Sequence, residues 1–331
     1  MSDALFSNLA SAPVLFFVLG VFACLVRSEL EIPQPIPKLL SLYLLVSIGL
    51  KGGVELRVAG ADYEVFAGLG AGVALAFAMP VWTFFLLRPR LGTMDAAGIA
   101  ATYGSISSVT FIIAASFLDG RAGDYSGHMV AAMALMESPA IIMGILLASW
   151  FGAKDATKAG EASSPIRWGA LLHESAFNSA VLLLLGSMCI GLIIGPEGFE
   201  DVYAFASAPF KGVLCLFLLD LGLLATRRLG DLKRAGWGIM LFGLIAPPVH
   251  AMIGIVTARV LMLQAGDALL LAVLAGSASY IAVPAALRLS LPKANPSLYL
   301  PLSLGLTFPF NVVLGIPLYW MAIERLWGIG N

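Results

Sequence analysis

The sequence predicts an all-α polytopic membrane protein with ten transmembrane helices in a 5+5 inverted repeat, and three observations carry that prediction. The chain is 60% hydrophobic and 12% charged, with a mean hydropathy of +0.93, which lies outside the range of soluble domains. Ten apolar stretches are long enough to cross a hydrocarbon core of about 30 Å as helix. One pattern also occurs twice: residues 95–107 read DAAGIAATYGSIS and residues 267–279 read DALLLAVLAGSAS. Each copy is Asp-Ala, seven mostly apolar residues, then Gly-Ser-x-Ser, and the copies lie 172 residues apart in a chain of 331.

In chain order the predicted spans are residues 10–27, 37–56, 64–88, 95–118 and 128–151, then 173–195, 207–227, 236–263, 267–290 and 297–327. The N-terminal MSDALFSNLASAP carries an acid and no base. It lacks the positive region of a signal peptide, so the first span is expected to be retained. Pro33, Pro35 and Pro37, then Pro196, then Pro292 and Pro296 mark connections. The polar segment 152–169, with Lys154, Lys158 and Arg167, links the halves. The predicted units are therefore 1–155 (helices 1–5) and 156–331 (helices 6–10).

Loops after odd-numbered helices hold thirteen of the nineteen Lys and Arg, and the remaining segments hold six. By the positive-inside rule the odd loops are cytoplasmic and both termini extracytoplasmic. Five helices per half is an odd number, which gives the halves opposite topology. Landmarks recur accordingly: Pro80-Val81 with Pro248-Val249, Pro139 with Pro309, Trp150 with Trp320, and Gly49 with Gly222. Cys24, Cys189 and Cys215 lie in apolar runs and are expected as free, buried thiols.

Nine residues of helix separate Asp95 from Gly104 and Asp267 from Gly276, a rise of about 14 Å. Each Gly-Ser-x-Ser is thereby placed near the membrane midplane. One reading is small residues easing helix packing. The duplication favours another, a pair of broken helices crossing at a transport site. Each downstream half-helix would then aim its positive N-terminus at the crossing, which suits a small anion. Gly104, Ser105, Ser107 and Ser108 of the first copy and Gly276, Ser277 and Ser279 of the second are the candidate anion-binding residues. For a hard cation such as Na⁺ the candidates are Glu137, Ser107, Ser279, Thr110, Thr307 and Asn311. Tyr280 either lines the site or satisfies a broken helix. Asp95 and Asp267 are expected to cap their helices. Asp220 and Lys51, on repeat-related helices, are expected to pair structurally, and His250 to be an interior histidine. Neither a transition-metal constellation nor a phosphate loop, nucleophile elbow or carboxylate dyad is visible, so the sequence supports no enzyme and no nucleic-acid partner.

The chain resembles the sodium-dependent bicarbonate transporters known from cyanobacteria. The likeness runs from LEIPQPIPKLL and SIGLKGG through YGSISS, HESAFNSA and APPVHAMIG to PKANPSLYLPLSLG and GIPLY. It implies a ten-helix inverted repeat with crossed, broken fourth and ninth helices, in a homotrimer. Helices 3–5 and 8–10 would form a core moving elevator-fashion against a scaffold of helices 1, 2, 6 and 7. The implied activity is inward bicarbonate transport coupled to Na⁺, without any other cofactor, in a bacterial inner membrane. Regulation by a small PII-like protein on the cytoplasmic face is implied as well. Glu137 stands where the family has an Asp. Tyr280 and Ala282 replace an acid and a Ser, and the linker is shorter than in the cyanobacterial members. Two other readings remain: a proton-coupled or antiporting carrier using Glu137, and a passive channel or membrane scaffold.

Overall fold

Helices start and stop where Pro, Gly and Asn interrupt the apolar runs. The computed structural model describes residues 10–33, 35–60, 62–119, 124–159, 179–232 and 236–329, and among these there is no strand. We number the helices α1 (Ala12–Leu25), α2 (Pro35–Ala59), α3 (Tyr63–Leu91), α4 (Thr93–Gly104), α5 (Ser108–Asp119), α6 (His128–Ala159), α7 (Ser179–Ala206), α8 (Phe210–Leu232), α9 (Trp237–Val260), α10 (Ala265–Gly276), α11 (Ala282–Ser290) and α12 (Pro296–Trp327). Seven described stretches are long and apolar enough to cross a membrane: Pro35–Val58, Tyr63–Leu91, Thr93–Asp119, His128–Gly152, Val181–Ala206, Trp237–Val260 and Pro296–Trp327. α1 and α10 are apolar but shorter. Most of the linker, the start of the sixth predicted span, and Arg121, Arg167, Lys233 and Arg234 of the charge tally lie outside the described residues.

Several local departures from regular helix follow from single residues. α7 kinks at Gly195, whose φ of 65° is left-handed, a conformation open to Gly at little cost. Pro196 then lacks the N–H that the Leu192 carbonyl would accept. The Arg57 guanidinium supplies it instead, donating to the carbonyls of Leu192 at 3.1 Å and Ile193 at 2.7 Å. α12 widens into π-helical turns at Pro301–Thr307 and Asn311–Gly315, on either side of Pro309. Proline's missing donor and bulky ring disfavour the regular i→i−4 ladder there.

Small residues set the tightest helix contacts, as expected where lipid gives no hydrophobic drive to associate. α1 and α8 meet at Gly20 and Gly222, where a Cβ on either would come within 3.1 Å of the other's Cα. α2 and α7 meet at Gly49, Gly53 and Gly191, against Ser187 and the backbone of Met188 and Leu50. α3, α4 and α6 pack together, as do α9, α10 and α12. The outer face of α9 presents Leu241, Ile245, Met252 and Val256, the pattern of a lipid-facing helix. The three cysteines are free as expected; Cys215 is buried, but Cys189 is exposed because it faces outward from α7.

Candidate functional site

The two Gly-Ser-x-Ser segments meet inside the bundle. α4 ends at Gly104 and α5 starts at Ser108; α10 ends at Gly276 and α11 starts at Ala282. The residue after each Gly turns extended in nearly the same way, with φ/ψ of −88°/174° at Ser105 and −93°/174° at Ser277. Glycine is required at both ends for closeness. A Cβ at Gly104 would overlap the Pro80 ring, and one at Gly276 would lie 2.7 Å from the Pro247 carbonyl oxygen. The landmark Pro80 thus abuts the first break, and Pro247, the residue before the landmark Pro248, abuts the second.

Two hydrogen bonds join the breaks directly. The Ser107 N–H donates to Ser277 Oγ at 2.9 Å, and the Ser279 N–H donates to the Thr102 carbonyl at 2.9 Å. Ser105, Ser107, Ser277 and Ser279 are all at most 4% exposed, while Ser108 is half-buried. Ser107 caps α5: its carbonyl accepts from Phe111 N at 3.1 Å and its hydroxyl from Thr110 N at 3.2 Å and Thr110 Oγ1 at 2.9 Å. Ser279 plays the matching part for α11, accepting from Val283 N at 3.3 Å. The N-termini of α5 and α11 therefore open at the crossing, with N–H groups that no preceding turn can satisfy.

The breaks are not equivalent. Ser277 also donates to the Leu274 carbonyl at 3.2 Å. The corresponding carbonyl in the first copy, Thr102, accepts the Ser279 N–H instead. Ser105 Oγ, the counterpart of Ser277 Oγ, is buried without a hydrogen-bond partner among the described residues. The hydroxyl of Tyr280, which lies near Ser107, is likewise buried without a hydrogen-bond partner among the described residues.

Among the cation candidates, Thr110 lies beside Ser107 as described. Thr307 sits in the π-helical turn of α12, pairing with the Tyr103 hydroxyl at 2.7 Å and donating to the Gly243 carbonyl at 2.9 Å. Asn311 donates to the Gly276 carbonyl at 2.9 Å, capping the end of α10, and accepts from Tyr319 at 2.8 Å. Both residues therefore brace the crossing. Glu137 is buried in α6, 4% exposed, two turns before Gly144 packs on Ala101 of α4. Among the described residues no group of three or more His, Cys, Asp or Glu is placed to hold a metal ion.

Other polar residues depart from the sequence reading. Asp95 and Asp267 make no side-chain capping bond in their own helices. Asp95 accepts from the Asn295 N–H at 2.8 Å, and Asp267 accepts from Ser126 N at 2.7 Å and Ser126 Oγ at 2.8 Å. Each carboxylate clamps the segment that follows the other broken helix, which requires three-dimensional proximity that a local motif does not encode. Lys51 pairs not with Asp220 but with Asp119 at 3.2 Å and Tyr125 at 3.2 Å, with Glu55 at 3.8 Å. Burial pushes the Tyr125 phenol up to about 12, so it meets Lys51 as a neutral partner. His250 is fully buried as expected, edge-on to Trp82 at 4.9 Å.

A bundle of apolar helices enclosing two paired helix breaks lined with hydroxyls defines a multi-pass membrane protein with a polar interior site. The chain belongs to the Na⁺-dependent bicarbonate transporter superfamily, whose family model matches residues 12–324. The family is one of transporters rather than enzymes, and Na⁺ as the coupling ion fits it. No curated protein matches the sequence significantly.

Proposed function

We propose that this chain imports bicarbonate, or a similarly small monoanion, together with Na⁺ by alternating access of an elevator type. The observation that carries the reading is the pair of hydrogen bonds joining the two breaks, Ser107 N–H to Ser277 Oγ and Ser279 N–H to the Thr102 carbonyl. They put two helix N-termini, each with partial positive charge, at one buried point. Bicarbonate carries one negative charge on a small planar frame, and its oxygens suit serine hydroxyls and free backbone N–H groups. Gly104, Ser105, Ser107, Ser108, Gly276, Ser277 and Ser279 hold the anion in this reading. Glu137, Ser107, Ser279 and Thr110 hold Na⁺, with Thr307 and Asn311 behind them.

The same reading takes the chain as ten spans in two inverted halves, 1–155 and 156–331. The reciprocal clamps, Asp95 on Asn295 and Asp267 on Ser126, support it, as does the pairing of α1 with α8 and α2 with α7. Helices of spans 3–5 and 8–10 form the moving core, and those of spans 1, 2, 6 and 7 the scaffold. The protein then resides in a bacterial inner membrane with both termini outside. It assembles as a homotrimer and is open on its cytoplasmic face to a PII-like regulator. The burial of Glu137 favours one second reading, a carrier coupled to protons through that carboxyl. Uptake of ¹⁴C-labelled inorganic carbon into proteoliposomes at alkaline pH separates them. Accumulation that needs an inward Na⁺ gradient supports the first reading, and accumulation that follows a proton gradient without Na⁺ supports the second.

A further inference from the structure

At the crossing, the donors and acceptors do not balance, and the imbalance singles out Tyr280. A hydroxyl has one proton and two lone pairs. Both lone pairs of Ser107 Oγ are taken, one by Thr110 N and one by Thr110 Oγ1. Ser107 therefore cannot accept the proton of the Tyr280 hydroxyl that lies near it. That hydroxyl is buried in a residue only 9% exposed and has no partner among the described residues. Ser105 Oγ, at 0% exposure, likewise has none. The hydroxyls of Ser105 and Tyr280, one from each break, are thus left without an acceptor among the described residues beside the N-terminus of α5. An unmet buried donor is costly, and two of them at a helix N-terminus call for an acceptor that carries negative charge.

The Tyr280 ring is held in place. It packs edge-on against Phe308 of α12, with centroids 5.5 Å apart and planes at 68°. Phe308 in turn meets Phe17 of α1 edge-on at 5.8 Å. The phenol is therefore positioned by packing before any ligand arrives, which limits the entropy lost on binding.

We infer that the Tyr280 hydroxyl, with that of Ser105, donates a hydrogen bond to the bound anion, so that Tyr280 sets the affinity and selectivity of the site for small oxyanions. This inference rests on the crossing being the anion site, as proposed above. A phenol is neutral and only donates strongly, so the site accepts one monoanion without an opposing carboxylate. The test is calorimetric titration of the purified full-length protein with sodium bicarbonate and, separately, sodium nitrate at constant Na⁺. Tyr280→Phe keeps the ring contact with Phe308 and removes the donor. It is expected to weaken binding about ten- to a hundred-fold, as loss of a hydrogen bond to a charged group does. Fluorotyrosine at position 280, a more acidic phenol of nearly the same shape, is expected to tighten binding and keeps the test open if the Phe variant does not fold. Weaker nitrate binding in Tyr280→Phe supports the inference even where bicarbonate does not bind at all, an outcome that overturns only the bicarbonate reading. Equal affinity of wild type, Tyr280→Phe and the fluorotyrosine protein overturns the inference and leaves that reading standing. A wild type that binds neither anion overturns both.

Discussion

Ser277→Ala removes one hydroxyl and should have effects well beyond its size. Ser277 Oγ is the acceptor for the Ser107 N–H at 2.9 Å and also donates to Leu274. Both serines are at most 4% exposed, so water cannot readily replace the lost acceptor. Leaving a buried backbone N–H unsatisfied costs about 1–3 kcal/mol. At roughly 2–4 °C per kcal/mol for a chain somewhat smaller than this one, the apparent unfolding temperature should fall by several degrees. Ser303→Ala is the control. Ser303 is fully buried, but its hydroxyl bonds only the Tyr299 and Leu300 carbonyls within its own helix. A carbonyl already bonded along the helix loses little, so we expect a cost under about 1 kcal/mol. The assay is thermal unfolding in detergent at one fixed scan rate, since membrane proteins seldom unfold reversibly. Ser277→Ala should also slow uptake, because the tie that aligns the two breaks is gone. If Ser277→Ala melts with Ser303→Ala and transports like wild type, the crossing is not held as described.

Four other outcomes are expected. Glu137→Gln should raise the Na⁺ concentration for half-maximal uptake; an unchanged requirement places the cation elsewhere. Gly104→Ala drives a Cβ into the Pro80 ring and should abolish uptake with a destabilisation of about 1–3 kcal/mol, measured by uptake and melting together. Asp267→Asn weakens two bonds to Ser126 from a fully buried carboxylate and should destabilise the protein by about 1.5–3 kcal/mol. Lys51→Met, by contrast, removes a half-exposed ion pair and should cost under about 1 kcal/mol. Because that pair joins α2 to the end of α5, the same variant should change the transport rate, read by initial uptake at saturating substrate.

Much of this arrangement was legible in the residues, because periodicity and repetition are local signals. The Asp-Ala…Gly-Ser-x-Ser duplication marked the glycines at which α4 and α10 end, and the apolar runs overlap every described helix. Boundaries moved where backbone chemistry intervened, as at Gly195, where Arg57 satisfies the carbonyls that Pro196 leaves open. Partners distant in sequence were not legible. Asp95 and Asp267 read as caps because capping is what a lone Asp at a helix start does most often, yet each bonds a loop more than a hundred residues away. Lys51 was matched with Asp220 by repeat symmetry, but the symmetry relates positions and not contacts, and Asp119 is the neighbour it meets. Ser105 and Ser277 looked equivalent in sequence. Only the geometry separates them: the Thr102 carbonyl takes the Ser279 N–H, whereas the Leu274 carbonyl takes the Ser277 hydroxyl.

The most direct test of the account compares wild type with the double variant Ser107→Ala, Ser279→Ala in the same proteoliposomes, measuring ¹⁴C-bicarbonate accumulation with and without an inward Na⁺ gradient. Wild type should accumulate bicarbonate only with the Na⁺ gradient and the double variant not at all, with the variant still folded by its melting curve. Equal accumulation by the two proteins would contradict this and move the transport site away from the crossing.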